Sequence, residues 1–184
     1  MKIYKVQMNR QFQYFLPSQE HGPVDYLKML DFDCQSKKAT WKPPEVFIYE
    51  PLLRRGNFFD FFLAGSFICD QKAIKALREL LEISGELLPL SHHGEDFLVM
   101  NVLQCFNCLD HDRVIYEEDD PLCAIEKYAF YPSRIPESPL FKIPEEVSTG
   151  VFTANGMDID YDFKLQVEKH GLTGLQFEEV WSDE

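Results

Sequence analysis

"EDFLVMNVLQCFNCLD", residues 95–110, decides how this chain is read. The stretch is apolar over most of its length but well short of the roughly 20 residues needed to span a bilayer. It reads as a long apolar strand, bent or bulged in its middle. It also contains Cys105 and Cys108 in a C-x-x-C spacing, with His111 close behind. A zinc knuckle needs a tight turn that aims both sulfurs at one metal, and a second ligand pair elsewhere. No glycine or proline marks such a turn here. On a strand, residues three apart face opposite sides, so one metal cannot take both sulfurs. A redox pair of the thioredoxin kind would sit at a helix N-terminus after a strand, and "LDHDRVIYEEDD" does not read as that helix. Both cysteines are therefore expected as small buried side chains.

Working outward, the strongest helix lies just upstream, from about Asp70 to Ser84. Ile74, Leu77 and Leu81 recur at helical spacing, and Leu80 widens the stripe. Asp70 suits the N-cap and Gly85 the position after the last turn. "GELLPL" follows, closed by Pro89. Strands are expected at "KIYKVQM", "EVFIYE", "CAIEKYAFY", "LFKI", "GVFTAN" and "GLQFEEVW". A second helix is expected from about Ile159 to His170. Asp158, Asp160 and Asp162 sit at its positive end, Lys169 and His170 at its negative end. "HGL" predicts a Schellman stop with Gly171 in the left-handed position. Residues 17–45 look irregular, although "VDYLKMLDF" has the pattern of a helical turn or two. Strands dominate and do not alternate with helices. The expected class is α+β, a mostly antiparallel sheet with two principal helices packed on it, in one domain over residues 1–184.

The 184 residues carry a net charge of −13, from 31 acidic and 18 basic side chains. That balance argues against nucleic acid and anionic membranes as partners, and is compatible with a basic protein surface. The five cysteines (34, 69, 105, 108 and 123) are odd in number and irregular in spacing, which predicts free thiols. The first residues alternate polar and apolar with no signal-peptide pattern, so a cytoplasmic protein is expected.

"SHHGED" places two histidines beside two carboxylates, but neighbouring histidines diverge on a strand, and a polar hairpin loop is the better reading. The aromatics after "RRG" are expected to pack and not to stack on bases. No P-loop, H-E-x-x-H, G-x-S-x-G or G-x-G-x-x-G motif occurs. The acidic run Glu117, Glu118, Asp119 and Asp120 reads as an exposed turn able to steer a basic partner. Trp181, within the acidic "EEVWSDE", is a candidate anchor for the same contact.

The order of elements is more specific than any single motif. "DFF", "CDQKAIKALREL", "GELLPL", "FLVMNVLQCFNCLD", "IEKYAFY", "LFKI" and "HGLTGLQFEEVW" follow one another over residues 58–181. This series resembles the bacterial immunity-protein family eleven, the MXAN-type domain of polymorphic-toxin systems. Residues 1–57 match less regularly. The chain departs from the family at Cys69–Asp70, where a serine or threonine opens the first helix, and at Arg113, where a serine follows the strand. The resemblance implies a non-enzymatic antidote that binds and neutralises a cognate protein toxin, with no cofactor, no metal and no catalytic residue set. It leaves homodimerisation open. Two alternatives remain: a cysteine- or zinc-dependent enzyme built on Cys105 and Cys108, and an interaction module for another partner.

Overall fold

A computed structural model describes residues 1–18, 30–61, 65–117, 124–156 and 158–183. The apolar run at 95–110 contributes strand β7, Glu95–Val102. It lies inside a four-stranded antiparallel sheet. Its neighbours are β5 (Phe67–Cys69) on one side and β6 (Gly85–His92) on the other, with β4 (Phe58–Asp60) beyond β5. A strand in this position has core on both faces, which is why the alternation is lost. Leu98, Met100 and Val102 turn to one core, Phe97 and Val99 to another.

β7 stops at Val102, eight residues earlier than expected. Its partner β6 begins at Gly85, opposite Val102, because the preceding residues are helical. With no partner backbone to continue the ladder, residues 103–110 leave it. They make single bridges only, Cys105 to Lys142 and Leu109 to Phe130. The β6–β7 turn has both central residues in the left-handed region, His93 at φ 49° and Gly94 at φ 80°, as a two-residue type I′ hairpin needs. Pro89 does not close β6, because among the described residues β6 is an edge strand, where a missing N–H can be tolerated.

Helix α1 spans Gln71–Ser84 as its apolar stripe predicts, burying Ala73, Ile74, Leu77, Leu80 and Leu81. Asp70 caps it by accepting from the Ala73 N–H at 2.8 Å and from Asn57 Nδ2 at 2.9 Å. Gly85 follows in extended backbone (φ 170°), so conformation does not require glycine there. Space does: a Cβ would lie 2.1 Å from the Asn101 carbonyl oxygen. Helix α2 is shorter than expected, Phe163–Lys169, since Asp162 and not Asp158 is its cap, accepting from the Leu165 N–H at 2.9 Å. It ends as predicted. Gly171 takes φ 57°, its N–H donates to Glu168, and the Leu172 N–H reaches back to Val167.

The remaining strands form smaller antiparallel sheets. β1 (Lys2–Met8) runs between β10 (Phe152–Ala154) and β11 (Leu175–Ser182). β2 (Tyr14–Pro17) pairs with β3 (Val46–Tyr49), and β8 (Ile115–Tyr116) with β9 (Ile125–Lys127). The class is thus α+β and antiparallel, with two helices and eleven strands among the described residues, but the strands divide into four sheets. "LFKI" is buried and bridged without forming a strand. Most of "VDYLKMLDF" lies outside the described residues.

Three cores hold these pieces together. The first joins both helices to one face of the four-stranded sheet and to Val6, Met8 and Phe177 of the β1 sheet. The second lies on the opposite face of the four-stranded sheet, roofed by Phe15 and Val46 of the β2–β3 ribbon and by Leu30 and Phe32. The third packs Ile3, Phe152 and Ala154 against Cys108, Leu109, Tyr128, Phe130, Phe141 and Ile143.

Candidate partner-binding surface

The β8–β9 hairpin places the first of the predicted acidic residues. Ile115 pairs with Lys127 and Tyr116 with Ile125, and the Glu117 N–H donates to the Ala124 carbonyl at 2.9 Å. Ile115 is 48% exposed and Tyr116 36%, and Glu117, Glu126 and Lys127 stand in solvent around them. The base of the hairpin is firm. The N–H groups of Arg113 and Val114 both donate to the carbonyl of buried Asp110, and Val114 and Ile125 touch the third core. His111 sits beside it, with Nε2 3.1 Å from Glu145 Oε1 and Nδ1 3.3 Å from the Tyr116 hydroxyl. Glu118, Asp119 and Asp120 lie outside the described residues, so of the four carboxylates Glu117 alone is placed.

Trp181 is elsewhere. It lies on β11 opposite Ile3, half-buried, its ring 5.9 Å from that of Phe130 in an edge-on contact. That packing fixes the indole and leaves part of it uncovered.

The two cysteines of the C-x-x-C part company, though strand alternation is not the reason. Cys108 is buried in the third core as expected, and burial pushes its thiol up to about 12. Cys105 departs from the packing expectation: it is exposed, and its backbone bridges that of Lys142. Among the described residues no group of three or more histidine, cysteine or acidic side chains is placed to hold a metal ion. His92 Nδ1 lies 2.9 Å from the Val46 carbonyl, and His93 forms the hairpin turn. After "RRG", Phe58 and Phe59 are buried in the first and second cores, while Arg55 pairs with Glu95 across the surface.

Three features escaped the sequence reading. The first is an exposed strip on the β2–β3 ribbon, where Phe47 and Tyr49 stand out and the Tyr14 and Tyr49 rings lie 5.2 Å apart. The second is a polar triad. Lys5 Nζ is 2.6 Å from Glu146 Oε2 and donates to the Tyr128 hydroxyl at 3.0 Å, and that hydroxyl donates to Glu146 Oε1 at 2.5 Å. Burial, then the Glu146 hydrogen bond and charge, push the Tyr128 phenol upward. Lys5 also borders an open groove of about 800 Å³ shared with Arg10, Asp60, Ser66 and Thr149. The third is Lys142, wholly buried, which gives Nζ protons to the carbonyls of Phe32 at 2.5 Å and Val147 at 2.7 Å. Burial holds its ammonium down to about 8. A lysine within "LFKIP" was the available signal: a charge inside an apolar run has to find oxygens.

No family model and no curated protein matches the chain. Among the described residues, no helix is long and apolar enough to cross a membrane.

Proposed function

We propose that this chain is an immunity-type antidote: a cytosolic protein that binds a cognate bacterial toxin in a stoichiometric complex and blocks it, performing no chemistry of its own. The observation that carries the reading is the β8–β9 hairpin. It holds Ile115 and Tyr116 in solvent on a rigid base, directly before Glu117 and the acidic run that follows it in sequence. An apolar centre ringed by charge is the anatomy of a protein interface. The apolar groups supply most of the affinity as they desolvate, and the charges set the rate of encounter. The net charge of −13 favours a basic toxin surface. The series of elements over residues 58–181 supports the same reading through its resemblance to immunity-protein family eleven.

The test is co-expression with the product of the neighbouring toxin gene. A stable complex and restored growth are expected; toxicity undiminished and no complex on pull-down would sink the proposal. Changing Glu117, Glu118, Asp119 and Asp120 together to lysine should slow association at least tenfold at low salt and much less at high salt. An on-rate unchanged at low salt rejects this surface while leaving the antidote reading to the co-expression result. A zinc-dependent enzyme predicts about one equivalent of metal in the purified protein, lost in Cys105→Ala.

A further inference from the structure

The β2–β3 ribbon departs from the rule that a sheet with one face on a core turns a polar face to water. Phe15, Val46 and Ile48 pack into the second core, so alternation turns Tyr14, Leu16, Phe47 and Tyr49 the other way. The register sets these four in two cross-strand pairs, Tyr14 with Tyr49 and Leu16 with Phe47. All are large, and none is charged. Phe47 is 41% exposed and Tyr49 42%, while Tyr14 and Leu16 are half-buried. Leu52, in the turn that leaves β3, is 98% exposed. Single exposed apolar residues are ordinary on a protein surface, but a contiguous set on one face marks a contact site.

The face is rigid. Phe15 beneath it is fully buried, its ring 5.2 Å from that of Phe59 and 5.3 Å from those of Phe97 and His92. His92 Nδ1 also meets the Val46 carbonyl. At one end of the ribbon the Ser18 N–H donates to the Glu45 carbonyl at 2.8 Å. At the other, Gln13 Nε2 donates to the Pro51 carbonyl at 2.8 Å. The Tyr14 and Tyr49 rings, 5.2 Å apart and tilted by 43°, make one aromatic platform. Side chains already held in place lose little freedom when a partner covers them.

The charges around the strip indicate what covers it. β3 is bracketed by Glu45 and Glu50, both exposed, and neither makes an ion pair among the described residues. Alternation puts Glu45 on the same outward face as Phe47 and Tyr49, and Glu50 directly follows Tyr49. Arg54, bridged to Phe12, stands beyond the two pairs, so carboxylates outnumber cations at the rim. We propose that this face docks a segment of a protein partner that presents arginine among apolar side chains, one guanidinium lying on the Tyr14–Tyr49 platform and drawn to Glu50. Arginine is preferred to lysine because its plane stacks on aromatic faces as well as carrying charge. The apolar neighbours of that arginine desolvate Phe47 and Leu16 and supply the remaining affinity. The face uses other strands than the β8–β9 hairpin, and its chemistry does not depend on the antidote reading.

The experiment titrates the nitrogen-15-labelled full chain with an acetylated, amidated pentapeptide of sequence LRIRV, and with its lysine analogue LKIKV, while backbone amide shifts are followed. Saturable shifts are expected at Tyr14, Leu16, Phe47 and Tyr49, with the arginine peptide binding about threefold tighter than the lysine one. Phe47→Ser combined with Tyr49→Ser, both on the solvent face, should weaken binding about tenfold or more and leave the melting temperature close to that of the parent. Glu45→Lys combined with Glu50→Lys should weaken it markedly at low salt and less at high salt. Shifts confined to the β8–β9 hairpin or scattered over the acidic surface overturn the proposal. So do equal affinities for the two peptides, undiminished binding by the double serine variant, or no shift up to about 5 mM peptide. Failure of the parent to restore growth against the toxin bears on the antidote reading alone; the titration decides this face in either case.

Discussion

Replacing Lys142 by methionine isolates the behaviour of a buried charge in this protein. Methionine keeps the unbranched stem and removes the ammonium. Two opposing effects follow. The Phe32 and Val147 carbonyls lose their donor, at about 1 kcal/mol or more each. The protein also no longer holds a cation where burial has brought its pKa from 10.5 to about 8. That difference of about 2.5 units corresponds to a penalty of about 3 kcal/mol at neutral pH. The sign follows from proton counts. Between about 8 and 10.5 the unfolded chain keeps the lysine proton and the folded protein releases it, so the penalty shrinks as pH rises through this window. Below 8 it is present in full. The parent should therefore gain stability relative to Lys142→Met by about 2–3 kcal/mol between pH 7 and pH 10. Urea unfolding at both values measures this. A Cys34→Ser, Cys105→Ser background removes the two thiols that share the field of Lys142. If the two proteins keep the same stability difference at pH 7 and pH 10, the reasoning about this ammonium is wrong.

Two further predictions concern the junction of α1 and β6. Gly85→Ala should cost about 3 kcal/mol in urea unfolding, because its Cβ would meet the Asn101 oxygen at 2.1 Å and the Leu103 nitrogen at 2.9 Å. Gly94→Ala has open space around it and a φ of 80°, and should cost only about 1 kcal/mol; equal costs at both positions would reject the distinction between crowding and conformation. Ser84→Ala should cost about 2 kcal/mol, since the buried Ser84 hydroxyl donates to the Leu80 carbonyl at 2.7 Å and accepts from the Leu140 N–H at 3.0 Å. Melting within a degree of the parent would show that Leu140 finds another acceptor.

Elements whose reasons are local were legible in the sequence. α1, its Asp70 cap, the Gly171 stop of α2, β1 and β11 all follow from spacing and end chemistry that a few neighbouring residues contain. The misplaced boundaries depend on distant partners. β7 ends where β6 runs out, "LFKI" meets its neighbours in single bridges, and β6 passes through Pro89 because nothing pairs on that edge among the described residues. The candidate site divides in the same way. Exposure of Glu117 follows from its charge. The docking of the segment around Cys34 on Lys142 and Asn101 depends on where distant pieces of chain cross, and that segment has no period to read. The C-x-x-C spacing groups Cys105 with Cys108, whereas the partner of Cys105 in the backbone is Lys142, far downstream in sequence.

The place of β1 bears on how the protein is made. Residues 2–8 leave the ribosome long before their partner strands, which begin at Phe152 and Leu175. At roughly 5–20 residues per second, translation keeps this central strand waiting on the order of ten seconds or more. Throughout that interval both of its backbone edges are open to any strand that passes. Lys2 and Lys5, alternating with Ile3 and Val6, place charge along it where an all-apolar segment would invite association. A chain released before Leu175 would have one edge of β1 unpaired for good, and such fragments should be recovered from cells as aggregates or with chaperones.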